Sequence, residues 1–412
     1  MGVLTVIMAI AVISLMAIKR INIGLAMLAG SAVLVIFTPV SLDQTLGAVK
    51  RALFDPETLV LMGAVLLIGV FGYVLKNSGA MEDMVESLVG LVGDSRWVIA
   101  SVAGLLGALT VPGGSMLTAP MVDQLGDRVG MGPEYKTGVN IVFRHVWYVF
   151  LPIIPSMLTA ANLAGTTPKA LAWQNLPALL AGLTAAWFLL LHPLPKGDKG
   201  EWGRAGVTRF LNSVLPLLLV IFLYIGLGLP FLAALALGIF LALFSRPEEG
   251  EGSWFSRILT TGSKRLRTML LPGVRLQLAL AVAGVMIFKE LLAAGGLING
   301  FAANLVGRGF PLWLLLTVLP LFIGLATGFH EAAIGIAIPI FLPLLSPATF
   351  MTGVSLVYVA ATIGYILSPL HLCVILTREY FQARFAATYR YLLPTPLFML
   401  ALTLIWSLVK GL

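Results

Sequence analysis

Charged side chains are scarce in this sequence. Asp, Glu, Lys and Arg together make up 11% of its 412 residues, against 59% hydrophobic ones, and the mean hydropathy is +1.00. So little charge cannot cover a soluble domain, which leaves a polytopic membrane protein. Cysteine is nearly absent too. Cys373 stands alone inside an apolar run, which excludes a disulfide framework and gives no thiolate pattern for a metal cluster. Acidic residues are fewer than basic ones, 18 against 26, for a formal charge of +8. The basic residues sit in short loops between apolar runs, where they orient a chain in a bilayer, so nucleic-acid binding is not expected. A basic leader and a small-residue cleavage site are missing around the first apolar run, 3–18, which therefore reads as a retained span.

What the sequence does have is long apolar runs, broken in a repeated way. A crossing takes about 20 residues. On that measure the runs predict spans at 3–18, 22–38, 58–76, 134–163 and 171–192, then at 209–228, 230–245, 274–293, 350–378 and 391–410. Two more apolar stretches, 96–128 and 311–345, turn back at Val111-Pro112-Gly113-Gly114-Ser115 and at Thr327-Gly328-Phe329-His330-Glu331. They read as re-entrant hairpins. The span after each is broken, by Pro152 and Pro155 in the first case and at Ser368-Pro369-Leu370-His371 in the second. Non-helical backbone persists at membrane depth only where protein or a wet cavity surrounds it, so the breaks mark a site. The segment 79–93, with Glu82, Asp83 and Glu86 at helical spacing among apolar residues, reads as an interfacial arm, and 297–306 as its counterpart.

The breaks recur at one offset. Adding 217 carries Gly107 onto Gly324, Thr110 onto Thr327, Tyr148 onto Tyr365 and Pro152 onto Pro369, the internal symmetry from which many transporters are built. The expected fold is all-α: a first repeat over 1–192, a cytoplasmic linker over 193–208 and a second repeat over 209–412. Five crossings per repeat is odd, so the second repeat is inverted. With ten crossings most of the 26 basic residues collect on one face, and the other receives only Lys50, Arg51, Lys169, Lys289, Arg308 and Lys410. The basic face is the cytoplasmic one, which puts both termini outside a cytoplasmic membrane. Hairpin 96–128 then enters from the cytoplasm, hairpin 311–345 from outside, and their tips meet the broken spans near the midplane.

Two inverted five-span repeats, each with a hairpin and a broken span, resemble the ion transporter superfamily, which includes the divalent anion/sodium symporters and the gluconate, citrate and p-aminobenzoyl-glutamate transporters. The resemblance covers nearly the whole chain. Within that group the sequence looks most like an uncharacterised ten-span family, on Val111-Pro112-Gly113-Gly114-Ser115-Met116 and Phe143-Arg144-His145. It implies a homodimer in which hairpins and broken spans move as a transport domain against a static scaffold, an elevator. The Ser-Asn-Thr that the divalent anion/sodium symporters carry at each hairpin tip is absent from both tips here, so neither sodium coupling nor a dicarboxylate substrate follows from it.

Candidate site residues gather at the breaks. Arg144 lies inside a span, where a cation costs about 2.5–3.5 kcal/mol, so it faces a partner or a wet cavity. Asn140, Arg144 and Tyr148 share one helix face at i, i+4 and i+8, a stripe suited to a carboxylate or phosphate. With Gly113, Gly114, Ser115, Thr327, Gly328, His330, Ser368 and His371 they make up the expected substrate site. An arginine that snorkels to the surface or ties a carbonyl is the structural alternative. Glu331, the only carboxylate at a hairpin tip, is placed to carry a coupling proton or to cap the return helix. His145, Thr110, Thr118 and Ser156 complete the expected coupling set, and the hydroxyls suit Na+ equally. The spacing of His145, His330, His371 and Glu331 carries no ligand signature, so no metal or other cofactor is expected beyond Na+ as an alternative coupling ion. Gly114-Ser115 is not a nucleophile elbow, so no enzyme is expected. The expected function is secondary transport of a small organic anion coupled to H+ or Na+. A sodium/proton antiporter is the rival, and a channel fits less well, because hairpins closing the path from both sides suit alternating access.

Overall fold

The computed structural model describes residues 2–19, 21–92, 94–108, 115–196, 203–244, 254–274, 276–295, 307 and 309–412. Among them every regular element is a helix. Pro56–Asn77, Arg204–Tyr224 and Phe350–Tyr380 are each long and apolar enough to cross a membrane. Two helix pairs are long and apolar enough only when taken together and bend at a short break, Pro168–Gln174 with Leu176–Leu191 by 52° and Phe385–Leu392 with Pro394–Val409 by 42°. The remaining apolar helices, such as Gly24–Phe37 and Phe231–Phe244, are shorter than the roughly 20 residues that a straight crossing takes. Their length and hydropathy embed the chain in a membrane.

Two helices occupy stretches that the apolar pattern leaves as polar connections. Leu42–Phe54 starts where the Ser41 and Gln44 side chains each accept from the other's backbone N–H, a capping box that the Ser-x-x-Gln spacing encodes. It buries Ala48 and Ala52 and leaves its charges outside. Trp254–Gly273 lies between the spans expected at 230–245 and 274–293, and buries Thr261 and Arg265. Charge on one face of each masks a helical period on the other. The arm is also a helix, Ala80–Val92. It buries Met81, Met84 and Leu88, packs on the helix Arg204–Ile221, and pairs Asp83 and Glu86 with Arg209 there. Its expected counterpart, 297–306, lies outside the described residues.

The hairpins and broken spans keep one spacing. Pro155–Leu163 and Leu372–Tyr380 are 217 residues apart at both ends. The starts of Ser95–Ala108 and Leu312–Thr327, of Pro133–His145 and Phe350–Leu367, and of Pro168–Gln174 and Phe385–Leu392 differ by the same 217. Packing follows this spacing. Ser95–Ala108 lies on Pro133–His145, and Leu312–Thr327 on Phe350–Leu367. The return helices cross over: Ser115–Arg128 packs on Leu372–Tyr380 of the second half, and His330–Phe341 on Pro155–Leu163 of the first. This exchange brings both breaks into one buried volume.

Candidate functional site

Local chemistry sets each break. Pro133–His145 tightens into a 3-10 turn over Val146–Val149, loses regular structure around Pro152, and restarts as a helix at Pro155. The two prolines supply no N–H to continue the first helix. Phe350–Leu367 ends at Ser368 and restarts at Leu372 with His371 as N-cap. Ser368 Oγ donates to the Leu325 carbonyl at 2.7 Å and accepts from Leu370 N at 3.1 Å, which ties this break to the second hairpin. The hairpin itself turns at Gly328, whose φ of +60° is left-handed and suits a residue without Cβ. Thr327 Oγ1 donates to the Ile323 carbonyl at 2.8 Å and accepts from Phe329 N at 3.3 Å. Thr327, Gly328 and Ser368 therefore shape the backbone around the site.

Polar side chains inside the protein fall into two groups. In the first, the Thr118 hydroxyl donates to Asn140 Oδ1 at 2.5 Å, and Asn140 Nδ2 donates to the Ser115 carbonyl at 3.1 Å and to Thr377 Oγ1 at 3.4 Å. Both ends of the Asn140 amide are thus engaged in holding the first return helix to the broken spans. Ser115 Oγ is buried with no partner among the described residues.

The second group is a sheet of rings around Arg144, which is 1% exposed. His145 meets Tyr148 at 4.8 Å and His371 at 4.6 Å between ring centroids. Tyr365 lies 4.1 Å from His371 and stacks on His330 at 5.2 Å. The Tyr358 hydroxyl donates to the Tyr148 carbonyl at 2.8 Å and sits 3.4 Å from Ser156 Oγ. Thr362 Oγ1 donates to the Tyr358 carbonyl, so it accepts from His330, whose Nε2 is 2.8 Å away. That fixes the His330 tautomer with the proton on Nε2 and leaves Nδ1 without a partner among the described residues. Glu331 is half-buried in the first turn of His330–Phe341 and forms no ion pair with a described residue.

The fold thus brings Arg144, His145, Tyr148, Ser156, His330 and His371 together, with Glu331 on the turn beside His330. It places Ser115, Thr118 and Asn140 in a separate buried tie. Thr110, Gly113 and Gly114 lie outside the described residues. Sequence reasoning left out Tyr358, Thr362, Cys373 and Thr377. The offset was a usable signal for two of them, since it carries His145 onto Thr362 and Ser156 onto Cys373.

Two cavities open near the far end of the half-helix Pro155–Leu163. One of about 600 Å³ is lined by Lys50, Arg51, Glu57, Asn162, Lys289 and Glu290. The other, of about 760 Å³, shares Glu57 and Asn162 and reaches Leu158. At 1.5 Å per helical residue Asn162 is about 9 Å from Ser156 but Leu158 only about 3 Å, so the second cavity comes closer to the buried rings than the first.

A family described as "Protein of unknown function (DUF401)" matches residues 1–410. Among curated proteins none matches the chain. A crystal structure of the Alcanivorax borkumensis YdaH transporter, described as having an unusual topology, aligns with a TM-score of 0.53 at 17% identity, over 97% of this chain and 97% of that one. The two proteins share a fold.

Proposed function

This chain belongs to the DUF401 family, and from its buried site we propose that it is a secondary active transporter for a small organic anion of carboxylate type. Coupling is to H+ or Na+, across the cytoplasmic membrane. We read the fold as two inverted five-span repeats working by an elevator motion within a homodimer. The constant spacing of 217 between equivalent helices and the crossover of the return helices support that reading.

One observation carries the anion. Arg144, 1% exposed, lies in the cluster where the half-helices Pro155–Leu163 and Leu372–Tyr380 both begin, through Ser156 in one and His371 and Cys373 in the other. A buried guanidinium and two helix N-termini make the volume electropositive, and tyrosine and histidine edges supply directed hydrogen bonds. That the YdaH protein is a transporter fits this reading. Arg144→Lys keeps the charge but loses the planar fork, so it tests recognition more than folding.

The experiment is a thermal-shift screen of carboxylates, sugar acids and phosphorylated anions on purified protein, followed by counterflow of a hit in liposomes. Wild type should bind and exchange a carboxylate, and Arg144→Lys should lose at least about tenfold in affinity with little change in its ligand-free melting point. Unchanged affinity in Arg144→Lys and Arg144→Ala would remove the arginine from the site. Na+/H+ exchange in liposomes with no organic anion present would favour the antiporter instead.

A further inference from the structure

The buried histidines carry more ligand capacity than an anion site uses. His145 Nδ1 lies 2.8 Å from the Ile141 carbonyl. A carbonyl only accepts, so Nδ1 holds the proton and Nε2 keeps a free lone pair. Among the described residues that Nε2 has no nitrogen or oxygen partner, and neither does either ring nitrogen of His371. His145 is 0% and His371 1% exposed, so bulk water does not satisfy them. Unpartnered buried polar atoms in such numbers call for an explanation.

The third group is the only thiol of the chain. Cys373 is buried at the second position of the helix Leu372–Tyr380, whose N-cap is His371. There the partial positive charge of the helix end stabilises an anionic sulfur. One donor atom from each of His145, His371 and Cys373 lies within 4.8 Å of the other two. Tetrahedral Zn2+ holds such atoms about 3.4–3.6 Å apart, so modest side-chain rotations close the set on an ion.

We propose that His145, His371 and Cys373 form a binding site for one Zn2+ ion, shared between the two broken spans. The Ile141 carbonyl fixes the His145 tautomer, as the outer partners of zinc-bound histidines do. Cys373 binds as the thiolate and gives up its proton on binding, which offsets one of the two charges that the ion brings near Arg144. The fourth position stays open for water or a substrate oxygen. The site stands apart from the anion reading, because Zn2+ binding is measured with no organic anion present.

Protein purified through a histidine-free tag and stripped with a chelator provides the test. Equilibrium dialysis should give one Zn2+ per chain, and Zn2+ should raise the melting temperature until chelator is added back. Co2+ in place of Zn2+ should produce a thiolate-to-cobalt charge-transfer band, which in this chain only Cys373 can supply. His371→Ala and Cys373→Ser should weaken Zn2+ binding at least about tenfold, and His192→Ala, at an exposed position, should leave it unchanged. A folded wild-type protein that takes up no Zn2+ or shows no such band with Co2+ would overturn the proposal, and so would undiminished binding in both variants. The wild-type spectrum needs no variant to fold.

Discussion

Gly107 lies against the carbonyl of Arg144: a Cβ built on Gly107 would sit 2.3 Å from that oxygen. The same contact occurs 217 residues later, where a Cβ on Gly324 would sit 2.5 Å from the Ala361 carbonyl. Each hairpin therefore rests on the backbone of the span that follows it, and the spans differ in what they carry there, an arginine in one and an alanine in the other. Gly107→Ala and Gly324→Ala should each destabilise the protein by about 1–3 kcal/mol, because the obstacle is backbone that cannot swing aside. Gly90→Ala, on an exposed helix position with nothing within 4 Å of a new Cβ, should be neutral or mildly stabilising. Melting temperatures in detergent check all three, and equal effects would show that the close crossing is not what holds the hairpins.

The Asn140 tie makes a second prediction. Asn140→Leu takes the amide away from the Thr118 hydroxyl and the Ser115 carbonyl, which keep only their mutual 3.0 Å contact, at a cost of about 1–3 kcal/mol. Thr118→Val removes the same contact from its other side, so the double variant should melt above the sum of the two single losses. Strict additivity would mean that the 2.5 Å contact contributes nothing.

Glu331 is the coupling candidate. For an anion symporter, Glu331→Gln should abolish accumulation driven by an acidic exterior yet leave counterflow of labelled for unlabelled anion intact, because counterflow needs only the loaded carrier to cross. Retained accumulation would reduce Glu331 to a cap of its helix, with an expected stability loss of about 0.5–2 kcal/mol in the glutamine variant.

The charge division also predicts sidedness. In a Cys373→Ser background, a cysteine at Asp43 should react with an impermeant thiol reagent on intact, right-side-out cells, and one at Ser263 should react only after the membrane is opened. Both positions are exposed in the fold, so access is set by the side of the membrane. The reverse pattern would invert the map.

Much of the architecture was legible because it is local. An apolar run long enough to cross lipid, a proline without a donor, and a glycine that can turn left-handed act through their own backbone, so the spans, the breaks around Pro152 and Pro369 and the turn at Gly328 can be read residue by residue. The helices Leu42–Phe54 and Trp254–Gly273 were less visible, since their exposed charges dilute the apolar period, although Ser41 and Gln44 announce the first.

The site itself was legible only in part. Arg144 stands out as a cation inside a span, Tyr148 as sharing its helix face, and His145, His330 and His371 as lying in or beside the breaks, and the fold gathers them. Asn140 shares a helix face with Arg144, yet the return helix and Thr377 engage its amide. Cys373 looked like an isolated apolar residue, and it lies against His145 from the other half of the chain. The sequence by itself determined a membrane-embedded helical chain broken at matching points, because those properties follow from backbone chemistry within a few residues. Only the tertiary structure decided which side chains meet, because contacts such as His145 with His371 depend on how two distant helices cross, and no local preference sets that geometry.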